Sequence, residues 1–189
     1  VSIDRPFLAV GSWNEGVHIY QRFTFETDPM LCYGDIEWRE IQIIVPEGEW
    51  VSFPYNISLR DGVLAISHFS NSNTATLVQI YHWSKIVGFW QHVQEINLND
   101  INQAAVGASE IVLDGDRMLV FWGQLPSYNS AKSDILIFKQ GKDGLFELEQ
   151  NLDFPFWEFP ETLEGGECRA DIDGDRLVVM DYGDWGGGG

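Results

Sequence analysis

One phrase recurs along this chain and limits what it can fold into. Residues Ala170-Asp171-Ile172-Asp173-Gly174-Asp175-Arg176-Leu177-Val178-Val179-Met180 read as two short strands joined by an Asp-Gly turn. Apolar residues flank a dipeptide that tolerates the positive φ of a tight hairpin. The phrase occurs again over Glu110–Phe121, more loosely over Ile57–Ile66, and in worn form over Val1–Val10. Copies about 55 residues apart define a repeat, and the period has to be read before any local motif.

Between copies the same order returns. A continuous apolar run comes first (Phe7–Val10, Val63–Ser67, Arg117–Trp122), as expected for a strand buried on both faces. An alternating strand ending in or near an aromatic follows (Val17–Arg22, Leu77–Trp83, Asp134–Lys139). An amphipathic third strand comes next (Trp38–Val45, Gly88–Ile96, Leu145–Gln150), then a strand leading into the next turn. In the first unit, residues 23–37 read as a long connection holding Pro29 and Cys32, and Pro46-Glu47-Gly48 as a break. Four-stranded units at this period predict an all-β, β-propeller-like array of antiparallel blades. The expectation is one domain over 1–185, with repeats at approximately 4–60, 61–113 and 114–172, partial strands at both ends (173–185 last), and a Gly tail at 186–189.

These units resemble the FG-GAP-like propeller repeats of secreted and cell-surface proteins. Ser109–Phe121 matches the phrase S-V-A-L-D-G-D-R-L-L-V-G, Ile135–Phe138 matches V-Y-V-F, and Phe146–Leu152 matches W-x-x-x-x-x-L. The resemblance covers nearly the whole chain at the level of pattern and implies an extracellular setting. Family members that bind calcium in the blade use D-x-D/N-x-D-G-x-x-D. Here Asp171, Asp173 and Asp175 alternate, but Gly174 precedes the third Asp and no later Asp falls in register. Calcium needs six to eight oxygens. The Asp-Gly-Asp segments therefore read as turn chemistry, and no cofactor is expected, with calcium the nearest alternative.

With 29 acidic and 11 basic residues, the net charge of −18 repels a phosphate backbone and anionic membrane surfaces. Nucleic acid is excluded as a partner, and no apolar run reaches the ~20 residues of a membrane span. Beginning at Val1, the sequence reads as a processed or excerpted chain. Asn56-Ile57-Ser58 is an N-glycosylation sequon, consistent with a secreted glycoprotein. Cys32 and Cys168 show no zinc-type spacing; they could form one disulfide between the first and last repeats or be buried thiols.

No nucleophile elbow, P-loop or dinucleotide fingerprint is present, and His18, His68, His82 and His92 lack ligand spacing. A non-enzymatic protein is expected. The alternative is a glycan-active hydrolase using Glu158, Glu161 or Glu164 beside Trp157. Trp13, Trp83, Trp90, Trp122, Trp157 and Trp185 read as core or interface, or else as sugar-stacking platforms. Three units and a remnant leave strand edges and apolar faces uncovered, which favours self-association into a homopolymer. Strand completion between copies would run head to tail into a filament, with Phe7, Leu8, Val10, Leu177, Val179 and Trp185 on the assembly strands. The alternative is a carbohydrate- or protein-binding module, a fragment of a longer propeller.

Overall fold

The computed structural model describes residues 1–12, 15–25, 35–45, 50–70, 76–101, 108–122, 133–154, 167–174 and 176–182. The chain is all-β. The first sheet takes β1 (Ser2–Asp4), β2 (Phe7–Ser12), β3 (Gly16–Phe25) and β4 (Asp35–Ile44). The second takes β5 (Trp50–Arg60), β6 (Val63–Ser70), β7 (Thr76–Ser84) and β8 (Phe89–Asn97), followed by a 3-10 turn at Leu98–Asp100. The third takes β9 (Ala108–Asp114), β10 (Arg117–Trp122), β11 (Ser133–Gln140) and β12 (Phe146–Phe154). The hairpin β13 (Glu167–Asp173) and β14 (Arg176–Tyr182) forms the fourth. Each four-stranded sheet is an antiparallel meander in chain order, the arrangement of a propeller blade. Hydrogen bonding groups the chain one strand earlier than the sequence period does: the strand before each Asp-Gly turn pairs with the strand after it, so β5 opens the second sheet.

The turns follow their dipeptides. Asp61 and Gly62 both have positive φ (49° and 77°), which a type I′ hairpin requires. In the third sheet Gly115 occupies the first central position with φ 56° and Asp116 the second, the type II′ pattern. Two strands run further than the sequence suggests. The expected connection after Arg22 instead extends the β3–β4 pairing to Phe25↔Asp35, with Phe23 and Phe25 continuing the period-two alternation. Upstream of Ile57, β5 reaches back to Trp50 through Pro54. A proline is tolerated there because β5 is an edge strand and its register with β6 slips between Ser52 and Asn56.

The continuous apolar runs of β6 and β10 bury both faces. In β6, Leu64 and Ile66 pack toward the first sheet with Phe7, Ala9, Val17, Ile19 and Trp90. Val63 and Ala65 pack toward the third sheet with Met118, Val120, Leu136 and Phe138. In β10, Leu119 and Phe121 turn the other way, onto Ile135 and Ile172. Burying such side chains contributes roughly 1.5–3 kcal/mol each, so the sheets are held to one another mainly by these layers. Trp90 is core, meeting Phe7 edge-on (5.3 Å between ring centroids) and Trp83 at a tilt (5.9 Å).

Candidate functional site

Beyond the apolar layers, each sheet grips the backbone of the next through a small set of side chains. The four inner hairpins close at Asp4↔Phe7, Arg60↔Val63, Asp114↔Arg117 and Asp173↔Arg176, which aligns them residue by residue. From the first sheet, Ser2 Oγ accepts the Leu59 N–H (3.0 Å) and Asp4 Oδ2 accepts the Asp61 N–H (2.6 Å). From the second, Ser58 Oγ accepts the Leu113 N–H at 3.0 Å. Arg60 stands where the other turns have Asp, and its Nη2 lies 3.5 Å from Asp114 Oδ1. From the third, Asp114 Oδ2 accepts the Gly174 N–H (2.8 Å) while Arg117 Nη1 donates to the Gly174 carbonyl (2.9 Å). Carboxylate–amide bonds of this kind are among the stronger ones.

The outer strands carry a second grip. Gln42 in β4 donates from Nε2 to the Trp90 carbonyl (3.0 Å), and its Oε1 accepts the Trp90 N–H (2.7 Å). Gln94 in β8 does the same to Phe146, at 2.8 Å in both directions. Both glutamines sit beside a bulge, opposite Ile19 and Ile80. Gln150 in β12 holds the matching position, opposite Ile137 at the bulge of the third sheet, and is exposed. The sequence reading missed these residues. Their signal is an aromatic followed four positions later by glutamine in every outer strand: Trp38/Gln42, Trp90/Gln94, Phe146/Gln150.

The described stack has two uncovered ends. Ile3 occupies the position of Leu59, Leu113 and Ile172, which are 4–7% exposed inside the junctions, yet Ile3 is 61% exposed. Ile43 shares that outer face, as do the half-buried Leu8 and Val10 and His18, whose Nδ1 lies 2.7 Å from Glu40 Oε2. At the other end Val178 is 57% exposed, Asp171 and Asp173 are exposed, and β14 pairs only with β13 among the described residues.

Of the other residues expected to carry function, Phe7 is core, and Leu177 packs against the layer between the third sheet and the hairpin. Val179 is in β14, opposite Ala170. Asn56 is half-buried in β5, and its Oδ1 faces the Ile111 N–H across a junction (3.4 Å). Cys168 is in β13 opposite Asp181. Cys32, Trp13, Trp157, Glu158, Glu161, Glu164 and Trp185 lie outside the described residues.

A groove of about 440 Å³ opens between the second and third sheets, lined by Asp61, His82, Trp83, Lys85, Gln140 and Lys142 among others. Gln140 Nε2 lies 3.3 Å from His82 Nε2 and donates to the Gly144 carbonyl (3.0 Å). Burial holds the His82 imidazole below the ordinary histidine value. No three His, Cys, Asp or Glu side chains converge as a metal-holding group among the described residues. Nor is any helix there long and apolar enough to cross a membrane.

Fold and junctions together define a propeller-like stack of antiparallel sheets. A solved structure of a protein from Lactobacillus plantarum, a structural-genomics target, is similar over 87% of this chain at 14% identity, with a TM-score of 0.49. The chain spans 42% of the length of that neighbour. No family model matches the sequence, and neither does any curated protein.

Proposed function

We propose that this is a non-enzymatic, extracellular structural protein that associates with itself head to tail, each copy completing the sheet of its neighbour. The observation that carries the reading is the contrast between junction and end. The position buried to 4–7% in three internal junctions is 61% exposed at Ile3, and the far end presents Val178 and a strand edge with no partner among the described residues. Exposed apolar sheet faces and free edges recruit further strands, because pairing satisfies the backbone and burial removes apolar surface from water. A contact between unlike ends propagates into a filament unless its rotation closes a ring. Acidity and the FG-GAP-like hairpin phrase support the extracellular setting. Sedimentation velocity across a micromolar concentration series, with negative-stain imaging, tests the association: species growing with concentration are expected, and a monomer throughout refutes it.

The groove beside Trp83 favours a second reading, a carbohydrate- or protein-binding module, since it joins an aromatic to polar groups at a sheet junction. Glycan-array binding lost on Trp83→Ala would support the carbohydrate-binding form of that reading, and an array with no signal would remove that form.

A further inference from the structure

Four inner hairpins share three outer ones among the described residues: β13–β14 is built like β1–β2, β5–β6 and β9–β10, but no described outer hairpin pairs with it. Three features define what would fit beside it. The first is the edge of β14, equivalent to the edge of β2 that pairs with β3. Asp173 and Arg176 close this hairpin, so the N–H groups of Leu177 and Val179 point toward that edge. The second is Gln150 on the adjacent third sheet, whose side chain makes no hydrogen bond among the described residues. Its equivalents Gln42 and Gln94 each grip both backbone groups of an outer-strand aromatic in the following sheet. The third is Trp38 in β4, the aromatic equivalent to Trp90 and Phe146, which no described glutamine grips.

We propose that the occupant is the β3–β4 hairpin of a second copy of this chain, taken up by β13–β14 in exchange for that copy's own β1–β2. This rests on the self-association proposed above and specifies its geometry. β3 would pair with the outer edge of β14 as it pairs with β2, and Gln150 would hold the Trp38 backbone as Gln94 holds that of Phe146. In the hybrid sheet Asp173 takes the turn position of Asp4, whose Oδ2 accepts the Asp61 N–H at 2.6 Å, and so reaches the Asp61 amide of the second copy. All three features are filled at once. Seating an intact first sheet on the outer face of the hairpin would leave Gln150 and the β14 edge empty. Exchange of equivalent elements costs little, because each pairing that breaks is replaced by one of the same kind. Here the incoming β13 has seven residues and the outgoing β1 three.

The test uses the full chain and three variants, with association followed by sedimentation and folding by circular dichroism. Gln150→Ala removes the grip, and Val179→Pro removes an edge N–H; each is expected to weaken association by about tenfold or more. Val10→Pro removes a β2 N–H that faces β3, loosening the outgoing hairpin, and is expected to strengthen association by a similar factor. Seating on an intact first sheet predicts weakening by Val10→Pro instead. A parent chain that associates but is unaffected by Gln150→Ala and Val179→Pro overturns the exchange while leaving self-association standing. A parent chain that stays monomeric removes both.

Discussion

Replacing Asp114 by alanine removes one of the two hydrogen bonds to Gly174 that tie the β13–β14 hairpin to the third sheet. Its Oδ2 accepts the Gly174 N–H at 2.8 Å, and its Oδ1 lies 3.5 Å from Arg60. A hydrogen bond to a charged group is worth about 1.5–3 kcal/mol. The ion pair adds little, since its distance is long and the Arg60 side chain is 53% exposed. The expected loss is therefore about 2 kcal/mol, or roughly a 30-fold shift in the equilibrium for hairpin detachment. Among the described residues the hairpin's apolar anchor is Ile172 and Leu177, packed with Leu119, Phe121 and Ile135 and the half-buried Val112, Ile137 and Leu152. The loss should accordingly appear as local opening. Native-state hydrogen exchange measures this directly. Amides of β13 and β14 should exchange about 30-fold faster in Asp114→Ala, while those of β6 and β7 keep their protection. Asp114→Asn keeps an acceptor without the charge and should fall between. Unchanged hairpin exchange, or an equal rise in every sheet, would refute the reasoning.

Three further perturbations probe the junctions. Gly11→Ala would place a Cβ 2.5 Å from Pro54 Cγ and 2.9 Å from Ile57 Cδ1, so chemical denaturation should show a loss of about 1–3 kcal/mol from forced separation of the first two sheets. Leu64→Ala, at a fully buried site between those sheets, should cost about 2–5 kcal/mol by the same assay. Because burial depresses the His82 pKa, the unfolded chain binds more protons than the folded one between the folded value and about 6.5. The stability contributed by neutral His82 is full above that range and lost as the pH falls through it. In His82→Gln the slope of stability against pH should be shallower there, which melts at a series of pH values would detect.

The apolar runs made the strand order legible because no polar position interrupts them: Phe7–Val10 and Val63–Ile66 lie within β2 and β6. Asp61-Gly62 and Gly174 marked turns for the stereochemical reason that positive φ is cheap there. The junction chemistry was not legible. A glutamine in an amphipathic strand looks like any solvated residue, and only pairing register shows that Gln42 and Gln94 sit beside bulges that aim them at the next sheet. The extension of β3 to Phe25 was not legible because the stretch from Phe23 to Glu37, holding Pro29 and Cys32, reads as a connection. Asn56 likewise read only as part of a sequon, and its place in the strand, with Oδ1 facing the Ile111 N–H across a sheet junction, came from the register alone.

Most of these grips act on backbone rather than on side chains, and this explains how the repeats diverged in sequence while keeping one geometry. A carboxylate accepting an N–H is indifferent to which residue supplies it, so Asp4 holds Asp61 and Asp114 holds Gly174 with equal ease. The same holds for Gln42 on Trp90 and Gln94 on Phe146, where the aromatic's backbone is gripped while its ring serves the core. What a turn must retain is a group able to bond the next turn, and Arg60 marks the limit of that tolerance. An arginine cannot accept an N–H, and it reaches instead for Asp114 Oδ1, leaving Oδ2 free for Gly174. One carboxylate thus touches two junctions, and the short bond to Gly174, not the long exposed pair with Arg60, is where its removal should be felt.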